Sequence, residues 1–327
     1  MNRIAKSICM IAVIALAFTA CKKNDTDTKT LQFKGSTEAM MVVDDEFGEK
    51  VYMDGNNRIQ FEAGDYVSIF NVVNADGTGS QCALFEVVTP ANWSHVSGPI
   101  DESHTTGAYY AYYPGGDSYV NATQLTNKNR VKFTLWPTQQ DRRDGDNKPM
   151  IPSESLYAAA VDSIHNLNDA WFNFKNICGI LSLKLYSPSG KTVTSIAVTD
   201  RRYNLVGDVT LKINEVSPTY MTTLFRNYNE NNADYMTELN AYLNRIGYSV
   251  TGNIGNTVTL NCGNGITLGT TKAKATEFYI VLRPLALIKG CDIQVNFTSG
   301  APYPIHSTKN NCIGPNVIKK MAAVNVG

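Results

Sequence analysis

The chain has 327 residues, with 29 Lys and Arg against 29 Asp and Glu and a formal net charge of zero. A protein that neutralises several phosphates carries a basic excess or a clustered basic stripe; this chain has neither, which excludes a nucleic-acid partner. Once a leader is removed, about 300 residues remain, enough for two domains of ordinary size, each with its own core.

Arg3 and Lys6 form a short positive region ahead of an apolar run from Ile8 to Ala20. That run of about thirteen residues is shorter than the roughly twenty that cross a bilayer, and residues 1–20 read as a signal peptide. Its end, Phe18-Thr19-Ala20 before Cys21, has the form of a lipobox, with Phe18 where Leu is usual. The Cys21 thiol is expected to take a diacylglycerol and to become the mature N-terminus. Removing the leader also removes Arg3 and Lys6, leaving 27 basic against 29 acidic residues and a net charge of −2. Residues 21–30 follow, polar and free of large apolar groups from Lys22 to Lys29, as a flexible tether requires. They resemble the charged tags that send lipoproteins to the surface face of the outer membrane. The expected location is the cell outer membrane, lipid-anchored and surface-exposed.

Beyond the tether the apolar residues repeat every second position, the period of half-buried strands. Val67 and Ile69 lie in a strand that starts after Gly64-Asp65, and Ala108 to Tyr113 is an aromatic strand ended by Pro114-Gly115-Gly116. A polar stretch near Asn166 to Asp169 suggests a boundary, with one domain over 31–168 and another over 169–327. Trp171 to Phe174 opens the second. Leu181, Leu183 and Leu185 alternate with polar neighbours up to the turn Pro188-Ser189-Gly190. Ile196 and Val198 follow on a return strand, and Val209, Leu211 and Ile213 on a third. Met236, Leu239, Leu243 and Ile246 share a helical face between Asn232 or Asp234 as N-cap and Gly247 as the stop, so one helix is inserted in the C-terminal domain. Phe278, Ile280 and Leu282 form a strand that Lys289-Gly290 turns into the clean alternation of Cys291 to Thr298, reading as a hairpin with a long loop. Many short strands with regular turn signals describe an all-β chain of β-sandwiches.

No set of residues reads as an active site. His95, His104, His165 and His306 are scattered, Gly263, Gly265 and Gly269 have turn spacing, and no metal or cofactor is expected. Asp141, Asp144 and Asp146 are spaced like oxygen donors of a calcium loop, but two arginines intervene and the closing Glu is missing, so a solvated turn is expected. Tyr109, Tyr110, Tyr112 and Tyr113 offer an aromatic platform for a sugar, although alternation sends half of them inward. Cys82, Cys178, Cys262, Cys291 and Cys312 lack metal-like spacing and read as buried free thiols, with one or two disulfides left open.

Several local signatures, taken in order, resemble the fimbrillin family, the Mfa-like type V pilin lipoproteins. Phe61-Glu-Ala-Gly-Asp-Tyr-Val-Ser-Ile-Phe70 is similar to the family's aromatic-x-x-Gly-Asp-x-Ile strand, and Ala111-Tyr-Tyr-Pro114 to its A-Y-Y-P strand end. Trp136-Pro-Thr-Gln-Gln140 resembles its P-x-x-Q segment. Phe172-Asn-Phe-Lys-Asn-Ile-Cys-Gly-Ile-Leu-Ser-Leu-Lys-Leu185 resembles its F-x-F-x-H-x-x-G-x-L-x-L strand pair, with Asn176 near a position where the family carries another polar residue. Val193 to Ile196, Leu205 to Gly207, Val258 to Gly263, Phe278 to Pro284 and Asn316 to Met321 continue the likeness over most of the chain.

The resemblance implies two tandem transthyretin-like β-sandwich domains and a structural or accessory fimbrial subunit in adhesion, not an enzyme. Its partners would be other fimbrial subunits, the outer membrane through the lipid on Cys21, and an adhesion target on a host or another bacterium. Shaft pilins of this kind assemble by strand exchange, after a trypsin-like protease removes the first strand and leaves a groove for an incoming C-terminal strand. Here Leu31 to Phe33 would be the removable strand. Val317 to Val326 would be the donor strand, with Val317, Ile318, Met321, Val324 and Val326 its candidate residues. The chain departs from the family at Thr37-Glu-Ala39, where an Arg is usual. Arg58, Lys50 or Lys34 would then take the cut, or the chain is uncut and serves as an anchor, a tip or a non-polymerising surface protein. The competing reading is a non-polymerising, glycan-binding surface lipoprotein, marked by exposed aromatic rings on one face.

Overall fold

The computed structural model describes residues 32–37, 41–44, 51–53, 63–72, 81–89, 92–98, 107–113, 130–143, 147–150, 158–164, 171–212, 220–221, 223–224 and 228–327. In chain order the first strands are β1 (Gln32–Thr37), β2 (Met41–Asp44), β3 (Val51–Met53), β4 (Tyr66–Val72), β5 (Gln81–Thr89), β6 (Asn92–Ser97) and β7 (Gly107–Tyr113). Next come β8 (Arg130–Leu135), β9 (Thr138–Gln140), β10 (Arg142–Arg143), β11 (Pro149–Met150), β12 (Ala158–Ile164) and β13 (Trp171–Asn176). The remainder holds β14 (Gly179–Tyr186), β15 (Thr192–Asp200), β16 (Val206–Lys212), the helix α1 (Ala233–Arg245), β17 (Ser249–Gly255) and β18 (Thr257–Thr267). It ends with β19 (Thr276–Leu282), β20 (Cys291–Phe297), β21 (Tyr303–Ser307), β22 (Val317–Lys320) and β23 (Val324–Asn325). The chain is all-β with an inserted helix, as its alternation requires.

Seven strands close into a barrel in the order β1-β13-β12-β7-β4-β5-β6, with β1 returning to β6. Alternate residues of these strands fill it: Val67, Ile69, Ala83, Phe85, Val87, Trp93, Tyr109, Ala111, Phe172 and Phe174 are all buried. The tyrosine run is covered more fully than alternation implies. Tyr109, Tyr110 and Tyr112 are all buried, and the hydroxyl of half-buried Tyr113 donates to Asp65 Oδ2 at 3.3 Å. Ring faces on both sides of β7 are thus occupied by protein, and no sugar platform is left there.

The second core lies between two sheets, one ordered β19-β14-β22-β2-β3 with β23 also on β14, the other β21-β20-β15-β18-β9. Leu181, Leu183, Leu185, Phe278, Ile280 and Leu282 of the first pack on Val193, Ile196, Val198, Val258, Leu260, Ile293 and Val295 of the second. Each such side chain, fully withdrawn from water, contributes roughly 1.5–3 kcal/mol. A third sheet, β17-β16-β8, holds Val209 and Leu211 as expected, while Ile213 lies outside the described residues. Hydrogen bonding crosses residue 168 in both directions. The strands β2, β8 and β9 pair with strands of the second half, β3 joins through β2, and β13 closes the barrel of the first.

Two sequence expectations about connections are corrected. The strands β19 and β20 are not a hairpin: β19 pairs with β14, whereas β20 pairs with β15 and β21 in the opposite sheet. The intervening Arg283 to Ile288 is a buried crossing, and Leu285, Leu287 and Lys289 take positive φ to make it. Gly263 and Gly265 sit inside β18, not in a turn between strands. Their φ of +56° and +98° accompany a register shift opposite Val193 and Ser195, which is a bulge that bends the strand.

The helix begins at Asn232, whose side-chain oxygen accepts from the N–H of Asp234 at 3.0 Å and Tyr235 at 3.1 Å. Leu239, Tyr242 and Ile246 bury against Met221, Leu224, Leu285, Ile288 and Cys312, fixing the helix over the crossing.

Candidate strand-exchange site

The strand β1 runs antiparallel to β6, with Gln32 opposite Ser94 and Phe33 opposite Trp93. It runs parallel to β13, pairing Lys34 with Trp171, Gly35 with Phe172, Ser36 with Asn173 and Thr37 with Phe174. It therefore lies between two strands and closes the barrel. The residues beside it form an aromatic floor: Trp93 and Phe172 stack at 6.1 Å between centroids, and Trp93 meets Phe174 edge-on at 5.4 Å. Such a floor suits alternating apolar side chains of any strand laid in the same place. Of the expected processing residues, Lys34 falls within this ladder, so a cut there requires β1 to unpair first. Lys50, Arg58, Leu31 and the expected lipidation residue Cys21 lie outside the described residues.

The C-terminal segment is two strands, broken after Lys320. The strand β22 lies inside its sheet, parallel to β14 on one side (Ile180 with Ile318, Leu181 with Lys319) and to β2 on the other (Met41 with Val317, Val42 with Ile318). Val317, Ile318 and Val326 are fully buried, and Met321 and Val324 pack against the same core. Beyond it β23 pairs Val324 with Leu185 and Asn325 with Tyr186. Lys191 Nζ donates to the Val326 carbonyl at 3.0 Å, and the Ser187 and Ser189 hydroxyls donate to the carbonyl of Gly327.

Where the barrel meets the sandwich, residues Asn176 to Gly179 clasp the root of β22. Asn316 Oδ1 accepts from the Asn176 N–H at 3.2 Å, and the Asn316 N–H donates to the Cys178 carbonyl at 3.1 Å. Asn176 Oδ1 accepts from the Cys178 N–H at 3.1 Å, so both buried amides are used. Asn316 makes this corner at φ +58°, in the left-handed region that Asn tolerates. Gly179 is required by close approach: a Cβ there would stand 1.9 Å from Ile313 Cγ2 and 2.7 Å from the Gly314 carbonyl oxygen.

Gln139 carries a role that reading for chemistry missed. Fully buried, its Nε2 donates to the Val281 carbonyl at 2.6 Å and its Oε1 accepts from the Val281 N–H at 2.9 Å. The side-chain amide thus stands in for a neighbouring strand on the outer edge of β19. Arg143 adds a second seal, donating to the Glu277 carbonyl at 3.0 Å while its Nε bonds Asp141 Oδ2 at 2.8 Å. Asp141 therefore serves an ion pair. Burial raises its pKa and Arg143 lowers it, burial being the larger influence. Asp144 and Asp146 lie outside the described residues.

His306 Nδ1 lies 2.6 Å from Asp292 Oδ1 on the exposed face of β21. Hydrogen bonds from Arg201, then His306, hold the Asp292 carboxyl well below the usual carboxylate range. His104 and His165 lie outside the described residues, and His95 stands opposite Phe85 on β6. Among the described residues no three His, Cys, Asp or Glu converge as a metal site. Cys178, Cys262, Cys291 and Cys312 are buried free thiols, and burial pushes Cys262 and Cys291 up to about 12.

No family model matches the sequence, and no curated protein does. Solved structures do. A candidate cell adhesion protein from Bacteroides ovatus is 11% identical, with 91% of this chain and 92% of that one covered and a TM-score of 0.49. One from Bacteroides uniformis is 11% identical over 90% of this chain and 94% of that one, at 0.45. A fimbrial protein from Bacteroides ovatus, also 11% identical, aligns at 0.37 over 91% of this chain, which spans only 50% of that protein's length.

Proposed function

We propose that this chain is a non-enzymatic, surface-exposed adhesion lipoprotein of the fimbrial type, joined to other subunits by exchange of β1 for a strand of another copy. The observation that carries the reading is the place of β1, the first described strand, which closes the barrel between β6 and β13 over the Trp93, Phe172 and Phe174 floor. Loss of β1 leaves two facing ladders of N–H and C=O groups without partners. Each such bond is worth about 0.5–1.5 kcal/mol net when remade, and more is lost if the group stays buried and unmet. An incoming strand restores the ladder and covers the rings, which is β-augmentation with an apolar lining.

The donor on this reading is the segment from Val317 to Val326. Its apolar residues already fill a core, and exchange is mild when the same contacts are satisfied in both places. The lipid on Cys21 would hold the chain at the outer membrane, and cleavage at Arg58 or Lys50 would release β1. Division at about residue 168 into a first and a second β domain belongs to the same reading, with strands lent across it.

The test is a chain beginning at residue 38, without β1. It should form multimers that full-length protein does not, and a synthetic Val317–Gly327 peptide should suppress them. A β1-less chain that is folded by circular dichroism, stays monomeric at high concentration and ignores the peptide sinks the reading.

A further inference from the structure

Resting on that reading, we infer that β1, β2 and β3 form a double latch, holding the acceptor groove and the donor strand shut together, so that one release arms both. The first half of the latch is β1 in the barrel. The second half is β2, which lies along β22 through four register pairs, Met41 with Val317 to Asp44 with Lys320. On the far side of β2, β3 pairs Met53 with Met41 and Val51 with Val43. Without β2 and β3 the strand β22 becomes an edge strand, paired only with β14.

The two halves are tied by three residues, 38–40. Four Cα steps span at most about 14 Å, so while one strand is docked the other is held beside its own berth at an effective concentration in the millimolar range or above. Each strand therefore raises the cost of losing the other, and the coupling is reciprocal. Their directions agree with this. The strand β1 is parallel to β13 and β2 is parallel to β22, itself parallel to β14, so the latch crosses from barrel to sandwich in step with the chain at Ile177 and Cys178. The root of β22 does not depend on the latch. Asn316 is held by Asn176 and Cys178, leaving release to act on the strand beyond it.

The experiment is native-state hydrogen exchange on the full chain in mild denaturant, with Ser36→Pro and Val43→Pro as perturbations. Proline removes a ladder donor and is excluded from interior strands. The wild type should open residues 32–37, 41–44 and 317–320 as one unit of common free energy, below that of β15 and β18. Ser36→Pro should speed exchange at least tenfold in 92–97 and 171–176, and equally in 317–320; Val43→Pro should do the same in reverse order. Protection in β15 and β18 reports that a variant is folded, and the wild-type measurement decides the matter if neither variant is. The latch is overturned if 317–320 opens independently of 32–37, or stays protected when β1 is open. Multimers formed by protein whose monomeric form opens 317–320 independently of 32–37 would sink the latch and leave strand exchange standing. A common opening unit in protein that never multimerises would support the latch and sink strand exchange.

Discussion

Gln139 shows how one side chain can replace a strand. Its amide offers a donor and an acceptor at the spacing of a peptide group, and it meets both outward-facing groups of Val281. Gln139→Ala should leave those groups buried and unmet, costing about 1–3 kcal/mol in urea unfolding, and should expose the β19 edge to self-association measurable by light scattering. Gln139→Glu, when ionised, buries a charge against the Val281 carbonyl and should be at least as destabilising as the alanine at neutral pH. It should recover in acid, where the protonated carboxyl again offers both a donor and an acceptor. The residue was visible in the sequence only as part of a P-x-x-Q likeness, because its partner is 142 positions away. Cys178, Cys262, Cys291 and Cys312 were legible as buried thiols, and their burial has a pH consequence. Cys262 and Cys291 hold their protons from the ordinary 9.0 up to about 12, while the unfolded chain loses them near 9.0. The unfolded state then binds fewer protons, so this contribution is intact below pH 9.0 and declines as pH rises toward 12. Urea midpoints over an alkaline series should fall accordingly, and a thiol reagent at neutral pH should label these residues only after denaturation.

At the scale of elements, sequence periodicity located strands and helix well and their partners poorly. The Asn232 cap was legible because capping is local, two and three residues from its donors. Asn232→Ala should cost about 1 kcal/mol, read as a lower urea midpoint with unchanged native circular dichroism. The alternations of Leu181 to Leu185 and of Cys291 to Phe297 were equally clear, since each has one buried face. Alternation reports that a face is covered but not by which sheet, so β19 and β20 read as a hairpin although a buried crossing carries them to opposite layers. A first strand was expected only at Leu31 to Phe33 and only from the family likeness; β1 runs Gln32–Thr37, and its parallel pairing with β13 was not foreseen. That pairing depends on closure of a whole barrel.

At the scale of the molecule, the barrel and the sandwich each keep a core of their own, yet each takes strands from both halves of the chain. Deleting Val317 to Gly327 should abolish multimers and weaken the sandwich, which loses Val317, Ile318 and Val326 from its interior. Circular dichroism and Trp93 fluorescence should show the barrel retained, since none of its seven strands comes from that segment. Full unfolding of the variant would show that the two cores are one cooperative unit. The place of β1 has a mechanical consequence as well. If the chain is held at Cys21 and tugged from its far end, the load reaches the described fold first at β1, which is hydrogen-bonded on both sides, so its bonds to β6 and β13 share that load. A surface protein exposed to flow would resist force best where its first strand is gripped on both sides, and would yield most readily once a protease had cut that grip.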